Sequence, residues 1–322
     1  MSVLEGFAHC TLLHEGGEAF IYRVDVGEKS YVLKWYAKDA ELDTAVVDAV
    51  RSARIPGLYH IVEAGEKAGR GYLVYDFIEG IAAKELGRFP IPVALSLVRN
   101  LVKSLAELFK VGIHHGDLNP ANVIVGPEGS ATLIDCGIVG PGALAYAAPE
   151  RIQGKSADAS SDIYSLGLLL YRLVAGEDLL VCDSYEGFAQ AASEIDALDL
   201  TAILYGKGIA ADVLASLAPV WKASLRANPS NRAEDLDEFD EILEIAFDSL
   251  SGGPVAWETT REAFVKSLSG KIGTNCNEGL PECSLPPEFV VIKPTGTKKI
   301  VVFAIIFVLI LWQGISTGDR VL

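Results

Sequence analysis

The stretch HGDLNPAN at residues 115–122, with LIDCG beginning ten residues further on, constrains this chain more than any other feature. It places Asp117, Asn122 and Asp135 on two adjacent loops that follow a helical pattern and flank a short pair of strands. Each residue alone is an ordinary turn former. In this order and spacing they supply what phosphoryl transfer needs, a carboxylate to take or orient the nucleophile's proton and oxygen ligands to hold Mg²⁺ on nucleotide phosphates.

The surrounding pattern divides the chain into two lobes. Over residues 7–80, AFIYRVDV, SYVLKWY and GYLVYDF read as short strands interrupted by one helix. In that helix Leu42, Ala45, Val46, Ala49, Val50 and Ala53 fall on one face at helical spacing. Over 81–248 the helical period dominates, in VALSLVRNLVKSLAELF, DIYSLGLLLYRLVAG and LDEFDEILEIAFDSL. The fold class is therefore α+β: a small β-rich lobe with one helix, and a larger, mainly α lobe. Residues 249–299 turn to Gly, Pro, Ser and Thr and read as a juxtamembrane linker, with one short helix around TTREAFVKSL.

These motifs together resemble the protein kinase superfamily over residues 7–248, and in particular its bacterial Ser/Thr branch. VLKWY resembles the third-strand segment whose Lys, here Lys34, meets the α- and β-phosphates. HEGGEAFI resembles the glycine-rich loop, which gives Gly16, Gly17 and Ile21 nucleotide-contacting roles. LVYDFIEG resembles the hinge after a gatekeeper at Tyr75, with Asp76 and Ile78 offering backbone groups to adenine. Asp117 is expected as catalytic base, with Asn122 and Asp135 as Mg²⁺ ligands. The resemblance also implies that Glu150 of YAAPE pairs with Arg232, and that Asp162 of DIYSLG holds the catalytic loop from beneath. The cofactors the resemblance implies are ATP and Mg²⁺, and the substrate it implies is a protein hydroxyl.

The departures fall mainly on the substrate side. Asn119 stands where the catalytic loop carries Lys, and Ala143 where Ser/Thr kinases carry the Thr that contacts that Lys and the base. Loss of one preorganised donor lowers rates by about 10² to 10³. Only Gly16 remains of the three loop glycines. No acid on the small-lobe helix faces Lys34, and Asp48 is the fallback partner. Gly116 replaces the Arg that clamps an activating phosphate, and Tyr146 is the only hydroxyl in the loop from Cys136 to Pro149. Activity is therefore expected to be constitutive or driven by homodimerisation.

Three functions are compatible with this pattern: a membrane-anchored Ser/Thr protein kinase, an ATP-binding pseudokinase that scaffolds a protein partner, and a small-molecule kinase of the aminoglycoside phosphotransferase type. The last shares the HGD loop but usually lacks the APE, DxYSxG and late Arg features.

Composition excludes more than it identifies. A formal charge of -16 argues against nucleic acid or anionic lipid as a partner of the soluble part. Five cysteines without a CxxC pair suggest a reducing compartment, and MSVLEGFAHC shows no signal peptide. Ile300 to Trp312 are 13 consecutive apolar residues within 19 uncharged positions, 300–318, near the lower limit for a membrane-spanning helix. Trp312 is placed as an interfacial anchor, and Lys298 and Lys299 favour a cytoplasmic domain, leaving 319–322 as a short tail.

Overall fold

The structure is a computed structural model that describes residues 4, 9–16, 18–38, 40, 42–136, 142–275, 285, 286 and 289. The chain forms two units, Met1–Ser284 and Leu285–Leu322. All that follows concerns the first. The expected span at 300–318 and the tail at 319–322 lie outside the described residues. Among the described residues no helix is long and apolar enough to cross a membrane.

The small lobe is an antiparallel sheet built from β1 (His9–Glu15), β2 (Ala19–Val26), β3 (Lys29–Tyr36), β4 (Ile61–Lys67) and β5 (Arg70–Asp76), in the order β1-β2-β3-β5-β4. One helix, α1 (Thr44–Ala53), lies between β3 and β4. Alternation puts Val24, Leu33 and Val74 fully inside. The register pairs Ile21 with Lys34 and Lys34 with Leu73, so these side chains share one face of the sheet.

Asp43 caps α1 by accepting from the N–H groups of Ala45 and Val46, so the helix starts at Thr44 and Leu42 precedes it. Its buried residues are Val47 and Val50, while Ala45 is exposed. Leu42, Val46, Ala49 and Ala53 are partly buried against the core, so the stripe expected on periodicity packs inward except at Ala45, and Val47 joins it.

The large lobe begins with β6 (Ile81–Ala82) and α2 (Ile91–Lys110). Then come β7 (Val123–Val125) and β8 (Ala131–Leu133), which complete a second sheet in the order β6-β7-β8. The helices α3 (Pro149–Ile152), α4 (Ala159–Ala175), α5 (Tyr185–Ser193), α6 (Leu200–Gly206), α7 (Ala211–Ser224) and α8 (Leu236–Leu250) follow. α4 is the central element. A capping box between Asp158 and Ser161 starts it, a left-handed Gly176 ends it, and Ser161 to Tyr171 are all buried.

The region expected as linker is in part ordered. Gly252 and Gly253, both in the left-handed region, turn the chain into α9 (Pro254–Asn275). Its Pro occupies the first helical position, where the missing N–H costs nothing. Phe264, Leu268 and Ile272 lie four apart and are buried. The ring centroids of Phe264 and Phe89 are 5.0 Å apart, which docks α9 on the large lobe. The compact unit therefore extends past residue 248, and the short helix expected around TTREAFVKSL is one part of a 22-residue helix.

Candidate active site

Antiparallel pairing of β7 with β8, through Val123 with Leu133, Ile124 with Thr132 and Val125 with Ala131, brings the two motif loops side by side. The Ile134 N–H donates to Asn122 O at 3.0 Å, which closes the junction between them. The loop ahead of β7 is held from below by Asp162 of α4. Its Oδ2 accepts from His115 N–H at 3.0 Å and its Oδ1 from Gly116 N–H at 3.1 Å. The expected support of the loop is therefore present. Gly116 has a positive φ, in the left-handed region that favours glycine.

His115 is fully buried and ties both loops together. Its Nε2 lies 3.1 Å from Ile134 O, and its Nδ1 accepts from Asp117 N–H at 3.3 Å. These two bonds require the neutral tautomer with the proton on Nε2. Burial pulls the imidazole down to about 4, against the opposing pull of the Ile134 carbonyl. Burial pushes Asp162 up to about 6, opposed by the N–H groups of Gly116 and His115.

These two shifts act oppositely on stability. His115, with a lowered folded value, contributes stability that is present above its ordinary 6.5 and lost as pH falls towards 4. Asp162, with a raised folded value, contributes stability that is present below 3.8 and lost as pH rises through about 6. In the shared window they offset each other. Asp162→Asn removes only the second, so its thermal midpoint should fall more steeply than the wild type's between pH 6.5 and 4. A parallel or shallower slope in melts across that range would contradict the assignment.

Asp117 is held on both carboxylate oxygens. Oδ2 accepts from Asn122 Nδ2 at 2.8 Å; Oδ1 accepts from Asn119 Nδ2 at 3.0 Å and from Ala143 N–H at 2.6 Å. Burial raises its pKa and these three donors lower it, with a net upward direction that favours proton acceptance. The two positions that look like losses in the sequence, Asn119 and Ala143, are thus both donors to the base. The Ala143 contribution comes from its backbone, which residue type does not reveal. The only sequence signal for that of Asn119 is its place before Pro120, where Asn commonly bonds back to the chain.

Lys34 is 5% exposed, and its Nζ meets Asp135 Oδ2 at 2.9 Å. Burial is the largest single influence and lowers its pKa, but Asp135, Tyr36 and Glu18 together outweigh it and the net direction is upward. Asp48 is exposed on α1, where only Val47 and Val50 are buried. The fallback ion pair is not formed. Tyr36 takes part instead: the Lys34 Nζ lies 5.0 Å from the centroid of its ring. Behind them Tyr59 and the gatekeeper Tyr75 pack edge to face at 5.2 Å, and Cys136 Sγ lies 3.9 Å from Tyr59 Oη.

The metal-ligand expectation fits the donor set. Asn122 spends its Nδ2 on Asp117 O and Oδ2 at 2.9 and 2.8 Å, which leaves its carbonyl oxygen for a cation. Asp135, with a positive φ, keeps Oδ1 buried with no hydrogen-bond partner among the described residues. A hard cation takes such oxygens, and an orphaned buried carboxylate oxygen needs one. Mg²⁺ held there would neutralise charge on nucleotide phosphates.

The nucleotide-contacting residues are less completely assembled. Gly16 closes the β1–β2 turn with its own N–H, donating to Ala19 O at 3.1 Å. Gly17 lies outside the described residues. At the hinge, the Asp76 N–H donates to His60 O and the Phe77 N–H to Ser30 O, whereas the Ile78 N–H makes no backbone hydrogen bond among the described residues. Ile21 stands beside Lys34 on the same sheet face.

A five-stranded lobe with a buried lysine over a helical lobe that carries a clamped carboxylate, an amide and a second carboxylate defines a kinase-like phosphotransferase fold. The protein kinase domain family matches residues 26–233, and the chain belongs to that family.

Among curated proteins it is similar to the serine/threonine-protein kinase PknL of Mycobacterium tuberculosis, 27% identical over 262 residues, covering 73% of this chain and 64% of that protein. It is also similar to PknB of Mycobacterium leprae, 26% identical over 258 residues, covering 74% of this chain and 40% of that protein. The chain thus spans less than two thirds of the length of either relative. Among solved structures, the crystal structure of the Mycobacterium tuberculosis PknI kinase domain superposes with a TM-score of 0.54 at 21% identity. It covers 75% of this chain and 96% of that one, a likeness of fold.

Proposed function

We propose that the chain is an ATP- and Mg²⁺-dependent Ser/Thr protein kinase that transfers the γ-phosphoryl of ATP to a protein hydroxyl. The observation that carries this reading is the Asp117 carboxylate, held by three donors beside Asn122 and the Lys34–Asp135 pair. In that arrangement Asp117 accepts the hydroxyl proton, Lys34 binds the nucleotide phosphates, and Asn122 and Asp135 hold the cation. The relatives named as serine/threonine-protein kinases support the acceptor class.

The apolar run at 300–318 supports an anchor that leaves the domain in the cytoplasm, with a protein substrate or a second copy of the chain as partner. Radiolabel from γ-labelled ATP should pass to a generic protein acceptor in the membrane fraction. The activity should move to the soluble fraction on deletion of 300–318 and fall by about 10² to 10⁴ in Asp117→Ala. A rate within about tenfold of wild type in that variant would sink the assignment.

A second reading, an ATP-binding scaffold, is favoured by one contact. A Cβ built on Gly142 would collide with Asp117 Oδ1, so backbone closely covers one face of the base. Both readings require nucleotide binding. MgATP should raise the melting temperature, and the increase should disappear in Lys34→Ala and Asp135→Ala; at [ATP] of about 100 Kd the stabilisation is about 2.7 kcal/mol. A shift that survives both substitutions would exclude this cleft as the nucleotide site.

A further inference from the structure

We infer that Asn119 is a positioning residue for the base, its side-chain amide holding Asp117 from the position where the resemblance places a Lys. The inference rests on the kinase reading of the same site.

Asn119 is 7% exposed and uses both ends of its amide. Its Oδ1 accepts from Ala121 N–H at 2.9 Å, which distinguishes the carbonyl end from the amino end. Its Nδ2 then points back to Asp117, 3.0 Å from Oδ1 and 3.1 Å from the main-chain O. The Asn119 main-chain O accepts from Asn122 N–H at 3.0 Å, so the turn that fixes Asn119 also fixes Asn122. Two short amides three residues apart therefore grip opposite oxygens of one carboxylate, and the Ala143 N–H completes the grip on Oδ1.

A lysine could donate to Asp117 but has no acceptor for Ala121 N–H. Asn119 does both. It brings a dipole rather than a positive charge, so it orients the base without neutralising a transferring phosphoryl group.

The contribution to positioning separates from the turn contribution in Asn119→Asp. Aspartate keeps the shape and the acceptor for Ala121 N–H but replaces the donor to Asp117 with a carboxylate oxygen facing its Oδ1, so the hold becomes a like-charge contact. The kcat should fall by about 10²-fold, the lower end for loss of one preorganised donor. KM for ATP should change less than about threefold, because Lys34, Asn122 and Asp135 are untouched. Asn119→Ala should lose kcat similarly and melt lower, whereas Asn119→Lys should not exceed the wild-type rate. A purely structural Asn119 would instead give an Asp variant with wild-type kcat, which would overturn the inference.

A readout without turnover separates this outcome from failure of the kinase reading. In the full chain, one Asn119 side-chain amide proton should be shifted downfield and slow to exchange by NMR, and should lose both properties in Asp117→Ala. If the wild type transfers no phosphate but the proton is protected, the grip stands and the kinase reading fails. If the proton exchanges freely, the grip itself is refuted.

Discussion

Asp117→Ala is expected to lower phosphoryl transfer by about 10² to 10⁴, the range for loss of a positioned general base, while MgATP binding stays near wild type. The two effects separate because Asn122 does not depend on the carboxylate alone. Its Nδ2 also donates to the Asp117 main-chain oxygen at 2.9 Å, and that bond survives truncation to Ala. Asn122 therefore keeps its carbonyl oxygen available to the cation, and the Lys34–Asp135 pair lies outside the altered contacts. Asp117→Asn is the poorer variant. Donors reach both oxygens of the native carboxylate, so whichever way an amide is turned its NH₂ faces another N–H.

Initial rates at saturating ATP, measured beside the melting shift with MgATP, check both halves. A residual rate within about tenfold of wild type would remove Asp117 from the role of base. Loss of the melting shift would mean that the carboxylate is part of the nucleotide site.

Much of the frame is legible in the sequence because burial leaves a periodic record. AFIYRVDV coincides with β2 and LDEFDEILEIAFDSL with α8, and the Asp162 and Glu150–Arg232 contacts form as the family resemblance implies. What sequence obscures has three separate causes. A backbone donor such as Ala143 N–H carries no residue signature. Asn119 stands out for the charge it lacks, although its hydrogen bonds are those a short amide makes in a turn. α9 is masked by Gly252 and Gly253, which punctuate like a linker, and by an apolar stripe only one residue wide at Phe264, Leu268 and Ile272.

That α1 turns no acid toward Lys34 is legible, but its consequence is not. With Val47 and Val50 as the buried residues of α1, the ion pair that orders the site runs from Lys34 directly to Asp135.

Glu150→Ala and Arg232→Ala are each expected to destabilise the fold by about 3 to 5 kcal/mol, the range for breaking one side of a buried ion pair. For a unit of this size that corresponds to a drop of about 6 to 20 °C in melting temperature. The pair is bidentate, with Nη1–Oε1 at 2.5 Å and Nη2–Oε2 at 3.0 Å, and it joins residues 82 positions apart.

Its two ends are not equally supported. Arg232 also donates to Arg226 O at 2.9 Å and to Ser160 O at 2.9 Å, and its guanidinium lies 4.8 Å from the Tyr164 ring centroid. After Glu150→Ala the arginine keeps its charge but retains these acceptors. After Arg232→Ala several carbonyls and a carboxylate lose their donor at once, so the arginine variant should be the less stable of the two.

The double variant should lose less than the sum of the singles, by about 0.5 to 3 kcal/mol of coupling. Urea melts of the four proteins measure the cycle, and additive losses would show that the contact carries no interaction energy. The pair fixes α3 at the end of the segment that delivers Ala143 N–H to Asp117. Variants that remain folded at low temperature should therefore lose kcat as well as stability, linking a contact far from the reacting atoms to the aim of the base.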